Sequence, residues 1–156
     1  MLFSTATGYA LRALAVMPED GTYSLAKNLA SSLDLPGPYL AKILQALAQA
    51  GMLQSVRGPR GGFRLARAAH HITVGEVVNT LEGIEAMAGC VMGFLHCQAQ
   101  DNPCPLHAAW SEVKNHMDSS MTQVTIRDLQ LIDMKNHHKV MPMGRRKPER
   151  QAEAKL

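Results

Sequence analysis

Between Leu40 and Leu65 the hydrophobic period of the chain changes once, and that change restricts the folds open to it. Leu40, Ile43, Leu44 and Leu47 fall at i, i+3, i+4 and i+7, the apolar stripe of a helix that Gly51 brings to an end. Two short extended runs follow, Met52 to Val56 and Gly62 to Leu65, joined by Arg57-Gly58-Pro59-Arg60-Gly61. With this much glycine and proline the junction is a tight turn, so a hairpin with a basic tip is expected. Upstream, Ser24 reads as the N-cap of a shorter helix through Leu25, Leu29 and Leu33, broken between Asp34 and Pro38. Two helices, a short turn and a hairpin predict a mainly α fold with a small β wing: a winged helix-turn-helix.

The face of the third helix opposite its leucines carries Tyr39, Lys42, Gln45 and Gln49, side chains able to bond phosphates or base edges. From Leu35 to Gly75 there is no Asp or Glu, while Lys42, Arg57, Arg60, Arg64 and Arg67 place a formal +5 in 41 residues of a chain whose net charge is +3. A solvated face normally mixes both signs, so this excess suits a phosphate backbone. Arg57 and Arg60 at the hairpin tip are placed to reach phosphates or the minor groove. A nucleotide-binding loop is disfavoured, because the Walker spacing and its Lys-Ser/Thr ending are absent. The candidate partner is double-stranded DNA.

All three cysteines stand within 15 residues, as Cys90-x6-Cys97-x6-Cys104, with His107 three positions further on. An odd number cannot pair off fully as disulfides. Thiolates with one imidazole suit zinc or an iron–sulphur cluster, but structural zinc sites usually carry a tight Cys-x2-4-Cys knuckle, which is missing. Iron–sulphur is the better match, since a cluster tolerates a longer loop, here cornered by Gly89, Gly93 and Pro103. With a helix expected to begin near Pro105, Cys104 would sit at a helix N-terminus that favours its thiolate, and His107 would project from the same face. The plain alternative is three reduced, partly buried thiols.

The remaining periodicity predicts a first helix over Thr5 to Met17, a short one over Val74 to Leu81 and one from Thr125 with the stripe Ile126, Leu129, Leu131 and Ile132. The long helix from Pro105 carries Leu106, Ala109, Trp110, Val113, Met117, Met121 and Val124, a seam suited to packing along a second helix. Its twin in a homodimer is the favoured partner, because two-fold pairing gives a small DNA reader its half-site geometry and a palindromic operator. Aromatics make up only 4% of the chain, so aliphatic side chains must do most of the packing. The expected organisation is a DNA-binding region over residues 1–82, a cluster-binding loop over 83–104, a dimerisation helix and short helix over 105–134, and a basic, flexible tail over 135–156. No apolar run approaches a bilayer span, the longest being Ala86 to Leu95, and the N-terminus lacks the basic start and cleavage pattern of a signal peptide, so with free thiols a cytoplasmic location is expected. Paired carboxylates, a nucleophile elbow and a cofactor fingerprint are all lacking, so no enzyme is expected.

Several of these segments, in this order, carry a resemblance. Thr7-Gly8-Tyr9-Ala10-Leu11-Arg12, Val56-Arg57-Gly58-Pro59-Arg60-Gly61-Gly62-Phe63, Ile72-Thr73-Val74-Gly75-Glu76-Val77-Val78 and the three cysteines resemble the winged-helix regulators typified by IscR and NsrR, over about residues 1–133. The resemblance implies a homodimeric transcription factor, usually a repressor, that senses iron–sulphur status, redox stress or nitric oxide. Its ligands map to Cys90, Cys97 and Cys104, and the Cys-x2-His pattern of the IscR branch maps to Cys104 and His107, which favours a 2Fe-2S centre. In the NsrR branch a carboxylate near the N-terminus completes a 4Fe-4S cluster; Gly8 stands at that position here and cannot ligate, although the cysteine spacing also matches some members of that branch. Ala41 stands where IscR has a Glu in the recognition helix. An iron–sulphur electron carrier or a zinc-stabilised interaction module is the alternative function.

Overall fold

The computed structural model describes residues 3–58, 61–83, 89–97 and 101–132. In chain order these form helices α1 (Thr5–Ala15), α2 (Ala26–Leu33) and α3 (Gly37–Gln49), strands β1 (Leu53–Val56) and β2 (Gly62–Leu65), a 3-10 turn at Ala69–His71, and helices α4 (Val74–Glu82), α5 (His107–Gln123) and α6 (Ile126–Gln130). Helices α1 to α4 and α6 enclose the core, in which Leu14, Leu33, Leu40, Leu44, Leu47, Ile72, Val77 and Ile126 are all essentially inaccessible. The stripe of α3 is therefore the packing face that its spacing implies, and truncating any of these leucines to Ala should cost about 2–5 kcal/mol.

The α2–α3 turn is short because Asp34 closes α2 in the left-handed conformation (φ 53°) and Leu35 N–H returns to the Ala30 carbonyl at 2.8 Å. Asp accepts that conformation more readily than a bulky residue. Pro36 then precedes α3 and Pro38 occupies its first turn, where a missing N–H costs nothing. After Gly51, β1 and β2 pair antiparallel with Leu53 opposite Leu65 and Val56 opposite Gly62. The tip residues Pro59 and Arg60, and the tail from residue 133 onward, lie outside the described residues.

Several boundaries and one apolar stripe differ from the sequence-based expectation. Helix α1 stops at Ala15 instead of Met17, since Val16 and Met17 donate to Ala13 and Leu14, tightening into a 3-10 end. Ser24 is not the N-cap of α2; Leu25 holds that position without a side-chain cap, and Ser24 pairs with the wing. Its N–H donates to the Phe63 carbonyl at 2.8 Å and its carbonyl accepts the Phe63 N–H at 2.9 Å, adding a one-residue third strand to the hairpin. Helix α5 begins at His107, two residues later than expected, because a turn closed by His107 N–H on the Cys104 carbonyl at 2.9 Å precedes it. The expected stripe of the last helix is only half formed: Ile126 is buried, whereas Leu131 is 71% exposed and Ile132 43%.

Helix α4 opens on a capping box between Thr73 and Glu76, and α6 on one between Thr125 and Asp128. Between these caps, Val74 N–H reaches the Val124 carbonyl at 2.8 Å and Ile126 N–H the Ile72 carbonyl at 2.8 Å, which anchors the C-terminal end of α5 beside the start of α4. Gly75 allows this approach: a Cβ there would meet the Met121 carbonyl oxygen at 3.3 Å. Of the expected α5 seam only Met121 is buried; Trp110 and Met117 are half-buried, while Leu106, Ala109, Val113 and Val124 are exposed.

The wing's attachment to Ser24 depends on Gly62, whose φ of +130° is rare for L-residues and whose Cβ would lie 2.4 Å from the Ser24 carbonyl oxygen. Gly51 is strained in the same sense (φ +78°) but faces open space. Urea unfolding of Gly51→Ala should therefore show a loss of about 1 kcal/mol from backbone strain alone. Gly62→Ala should lose at least about 2 kcal/mol, strain and overpacking together. Equal losses in the two variants would contradict the close packing of the wing on Ser24.

Candidate metal centre and nucleic-acid interface

The cysteine loop folds back on the first two turns of α5. Trp110 Nε1–H donates to the Gly89 carbonyl at 3.0 Å and fastens the start of the loop to the helix. Gly93, with φ 74°, turns the chain, its N–H bonding the Cys90 carbonyl at 2.9 Å. The three Sγ atoms consequently lie within 4.8 Å of one another. Cys90 Sγ and Cys104 Sγ are 3.6 Å apart, while Cys97 Sγ meets His107 Nδ1 at 3.1 Å and accepts the Cys104 backbone N–H at 3.3 Å. The cysteines, His107, Trp110 and Lys114 line one small cavity of about 30 Å³. All four residues singled out from the sequence thus come together. Trp110 and Lys114 were missed, although their spacing of three and seven from His107 places them on its helix face.

The expectation that Cys104 carries the activated thiol is corrected. Cys104 stands outside the helix, and desolvation followed by its contact with Cys90 pushes its pKa up, against the Leu106 backbone N–H. Desolvation also opposes ionisation of Cys90, yet the N–H groups of Phe94 and Met92 and the neighbouring Cys104 and Cys97 thiols outweigh it and bring Cys90 down to about 7. Backbone N–H groups aimed at sulphur thus favour thiolate at the head of the loop, not at its end. Three thiols and an imidazole form a soft donor set that fits an iron–sulphur centre.

Tyr39, Lys42 and Gln45 are exposed along the solvent face of α3, with Gln49 one turn beyond. Tyr39 stands edge-on to Tyr9, ring centroids 6.0 Å apart, which ties the start of this face to α1. Arg57 is exposed at the wing; Arg60 lies outside the described residues. Two of the five cations that made this region look basic are engaged within the fold. Arg64 donates to Gln54 Oε1 at 2.9 and 2.7 Å and to the Gly21 carbonyl at 3.2 Å, and lies 4.8 Å from the centre of the Tyr23 ring. Arg67 pairs with Glu76 at 2.7 Å and bonds the His71 carbonyl at 2.8 Å. These two serve structure, and charge counting could not tell them from Lys42 and Arg57.

Comparisons with known proteins find relatives along most of the chain. A family model described as Rrf2, an iron-dependent transcriptional regulator, matches residues 3–131. An HTH-type transcriptional regulator of Aquifex aeolicus is 33% identical over 138 residues, covering 87% of this chain and 96% of that protein. Among solved structures, CymR, the global cysteine regulator of B. subtilis, shares the fold with a TM-score of 0.67 at 22% identity, over 82% of this chain and 95% of its own. IscR of T. potens superposes with a TM-score of 0.63 at 27% identity, over 86% of each chain.

The split between the thiols can be measured directly. In metal-free protein at pH 7, Cys90 should react with iodoacetamide several-fold faster than Cys104. Its rate should climb as pH passes through about 7, where its thiolate forms. Cys104 should accelerate only at higher pH, because its pKa is raised. Mass spectrometry of the alkylated peptides reads both rates, and a faster Cys104 would restore the original expectation.

Proposed function

Because the chain belongs to the Rrf2 family of DNA-binding transcriptional regulators, we propose that it is a homodimeric repressor whose operator affinity is set by an iron–sulphur cluster on Cys90, Cys97, Cys104 and His107. The observation that carries this reading is the convergence of three thiol sulphurs within 4.8 Å, with the His107 imidazole on one of them. When bound, the cluster supplies a redox- and nitric-oxide-reactive centre; 2Fe-2S is favoured by the Cys104-x2-His107 pair, and 4Fe-4S is the alternative. The chain's own part is to hold the ligands: Trp110 pins the loop at Gly89, Gly93 turns it, and the Cys104 N–H orients the Cys97 sulphur.

On the DNA side, Tyr39, Lys42 and Gln45 are exposed on the face that a major groove would meet, and Arg57, exposed on the wing, together with Arg60 of the same turn sequence, would supply cations to the flanking backbone. Two-fold pairing through α5 is supported by its exposed Leu106, Ala109 and Val113, and would match a palindromic operator. An electron carrier would have no use for this exposed reading face. A zinc-stabilised module would hold metal but give neither colour nor redox response.

Anaerobic purification, iron and sulphide analysis and a Mössbauer spectrum test the centre. Each of Cys90→Ala, Cys97→Ala and Cys104→Ala should lose the cluster, while His107→Ala should leave it labile. Zinc alone in the native protein would overturn the assignment, and equal promoter affinity of cluster-loaded and cluster-free protein would reduce the cluster to a structural role.

Salt titration tests the wing. Each phosphate contact contributes about 0.9 to the log–log slope, so Arg57→Ala in a dimer should flatten it by nearly 2, a loss of about two contacts. Arg64→Ala should leave the slope unchanged while lowering the melting temperature, because its guanidinium is committed to Gln54 and Gly21.

A further inference from the structure

Cys90 and Cys104 lie at the two ends of the cysteine segment with their sulphurs 3.6 Å apart, about van der Waals contact. A disulfide needs about 2.05 Å, so the two must close by roughly 1.5 Å. The glycines on either side of Cys90 can supply that movement. The segment between the two cysteines contains no helix or strand among the described residues, and it turns at Gly93, which has open space around its Cβ position, as does Gly89 beside Cys90. Cys97 is placed differently: its sulphur is held by His107 Nδ1 at 3.1 Å and by the Cys104 N–H at 3.3 Å.

We propose that Cys90 and Cys104 form an oxidative modification site in the metal-free chain: a hydroperoxide converts them to an intramolecular disulfide and leaves Cys97 as the free thiol. The electrons balance as a two-electron oxidation. The thiolate of one cysteine attacks the peroxide oxygen, the O–O bond breaks, and a sulphenic acid forms with release of alcohol, or of water from hydrogen peroxide. The sulphur of the second cysteine then attacks the sulphenic sulphur, the S–S bond forms and water leaves. Two thiols lose two electrons and two protons in all, and the peroxide is the acceptor. The product takes two of the three thiols out of use, so the oxidised loop cannot hold a soft metal through all three until a dithiol reduces it.

The test uses the full-length, iron-free chain, treated under nitrogen with one equivalent of hydrogen peroxide and then alkylated. All three cysteines share one tryptic peptide, residues 68–114, so the map requires cleavage after Phe94 and before Asp101 instead. The expected product runs as a monomer on a non-reducing gel, carries a Cys90–Cys104 cross-link two hydrogens lighter than the reduced pair, and is alkylated at Cys97. Cys97→Ser should form the same cross-link at a similar rate, and Cys90→Ser should not form it. The oxidised chain should take up no cluster on incubation with iron and sulphide, and dithiothreitol should remove the cross-link. A majority product containing Cys97 in the disulfide, or sulphinic acids on the three cysteines without any cross-link, would overturn the proposal. The map is read on iron-free protein, so it decides the disulfide whatever the reduced chain does with iron.

Discussion

Helix α4 is fixed at both ends, and the relation between α1 and the end of α5 follows from that. At its start, the Thr73–Glu76 capping box and the paired backbone bonds to Val124 and Ile126 join it to the end of α5. At its finish, the Glu82 carboxylate accepts the Ser4 backbone N–H at 2.8 Å and a short hydrogen bond from the buried Thr7 hydroxyl, joining it to the start of α1. The bonds from Ser4 and then Thr7 hold the Glu82 carboxyl below its ordinary value. Because Thr7 has no solvent access, removing its partner would leave a buried hydroxyl unsatisfied, at about 1–3 kcal/mol. The residue after Glu82 is Gly83, where the path to the cysteines begins. Helix α4 is thus bonded to α1, and α1 meets the α3 face through Tyr9 and Tyr39.

The wing obeys a similar economy of contacts. Its hairpin is only four residues per strand, too small to be stable alone. Ser24 extends it on one side, and Arg64 bridges Gln54, Gly21 and Tyr23 across its base. The cation density that suggested DNA binding therefore divides by position. Arg64 and Arg67 brace the base of the wing and the start of α4, while Lys42 and Arg57 remain exposed.

That division explains what was legible in the sequence. Helices α1 to α4, both strands and the convergence of Cys90, Cys97, Cys104 and His107 follow from local periodicity, turn chemistry and spacing, all of which act over a few residues. The pairing of Ser24 with Phe63 spans 39 positions and competes with a local cap that was equally plausible in composition. The tertiary contact prevails because two backbone hydrogen bonds outweigh one side-chain cap. Cys104 was misplaced for a related reason: Pro105 is acceptable both in a first helical turn and in the turn before it, and only the bond from His107 N–H to the Cys104 carbonyl decides. The ionisation order of the thiols was out of reach, since it depends on N–H groups of Phe94 and Met92 that a spacing pattern does not locate.

Helix α5 shows why one seam read from sequence becomes two faces in three dimensions. At 3.6 residues per turn, His107, Trp110, Ser111 and Lys114 form one stripe, and Leu106, Ala109 and Val113 another about a third of a turn away. The first stripe lines the cavity of the thiols; the second is exposed. Trp110, half-buried and bonded to Gly89, belongs to the loop and not to the apolar seam in which its hydrophobicity had placed it. The N-terminal half of α5 is thus positioned chiefly by the cysteine loop, whereas its C-terminal end is anchored to α4 through Val124. The two ends of α5 are therefore held by different partners, its first turns by the thiol loop and its last by α4.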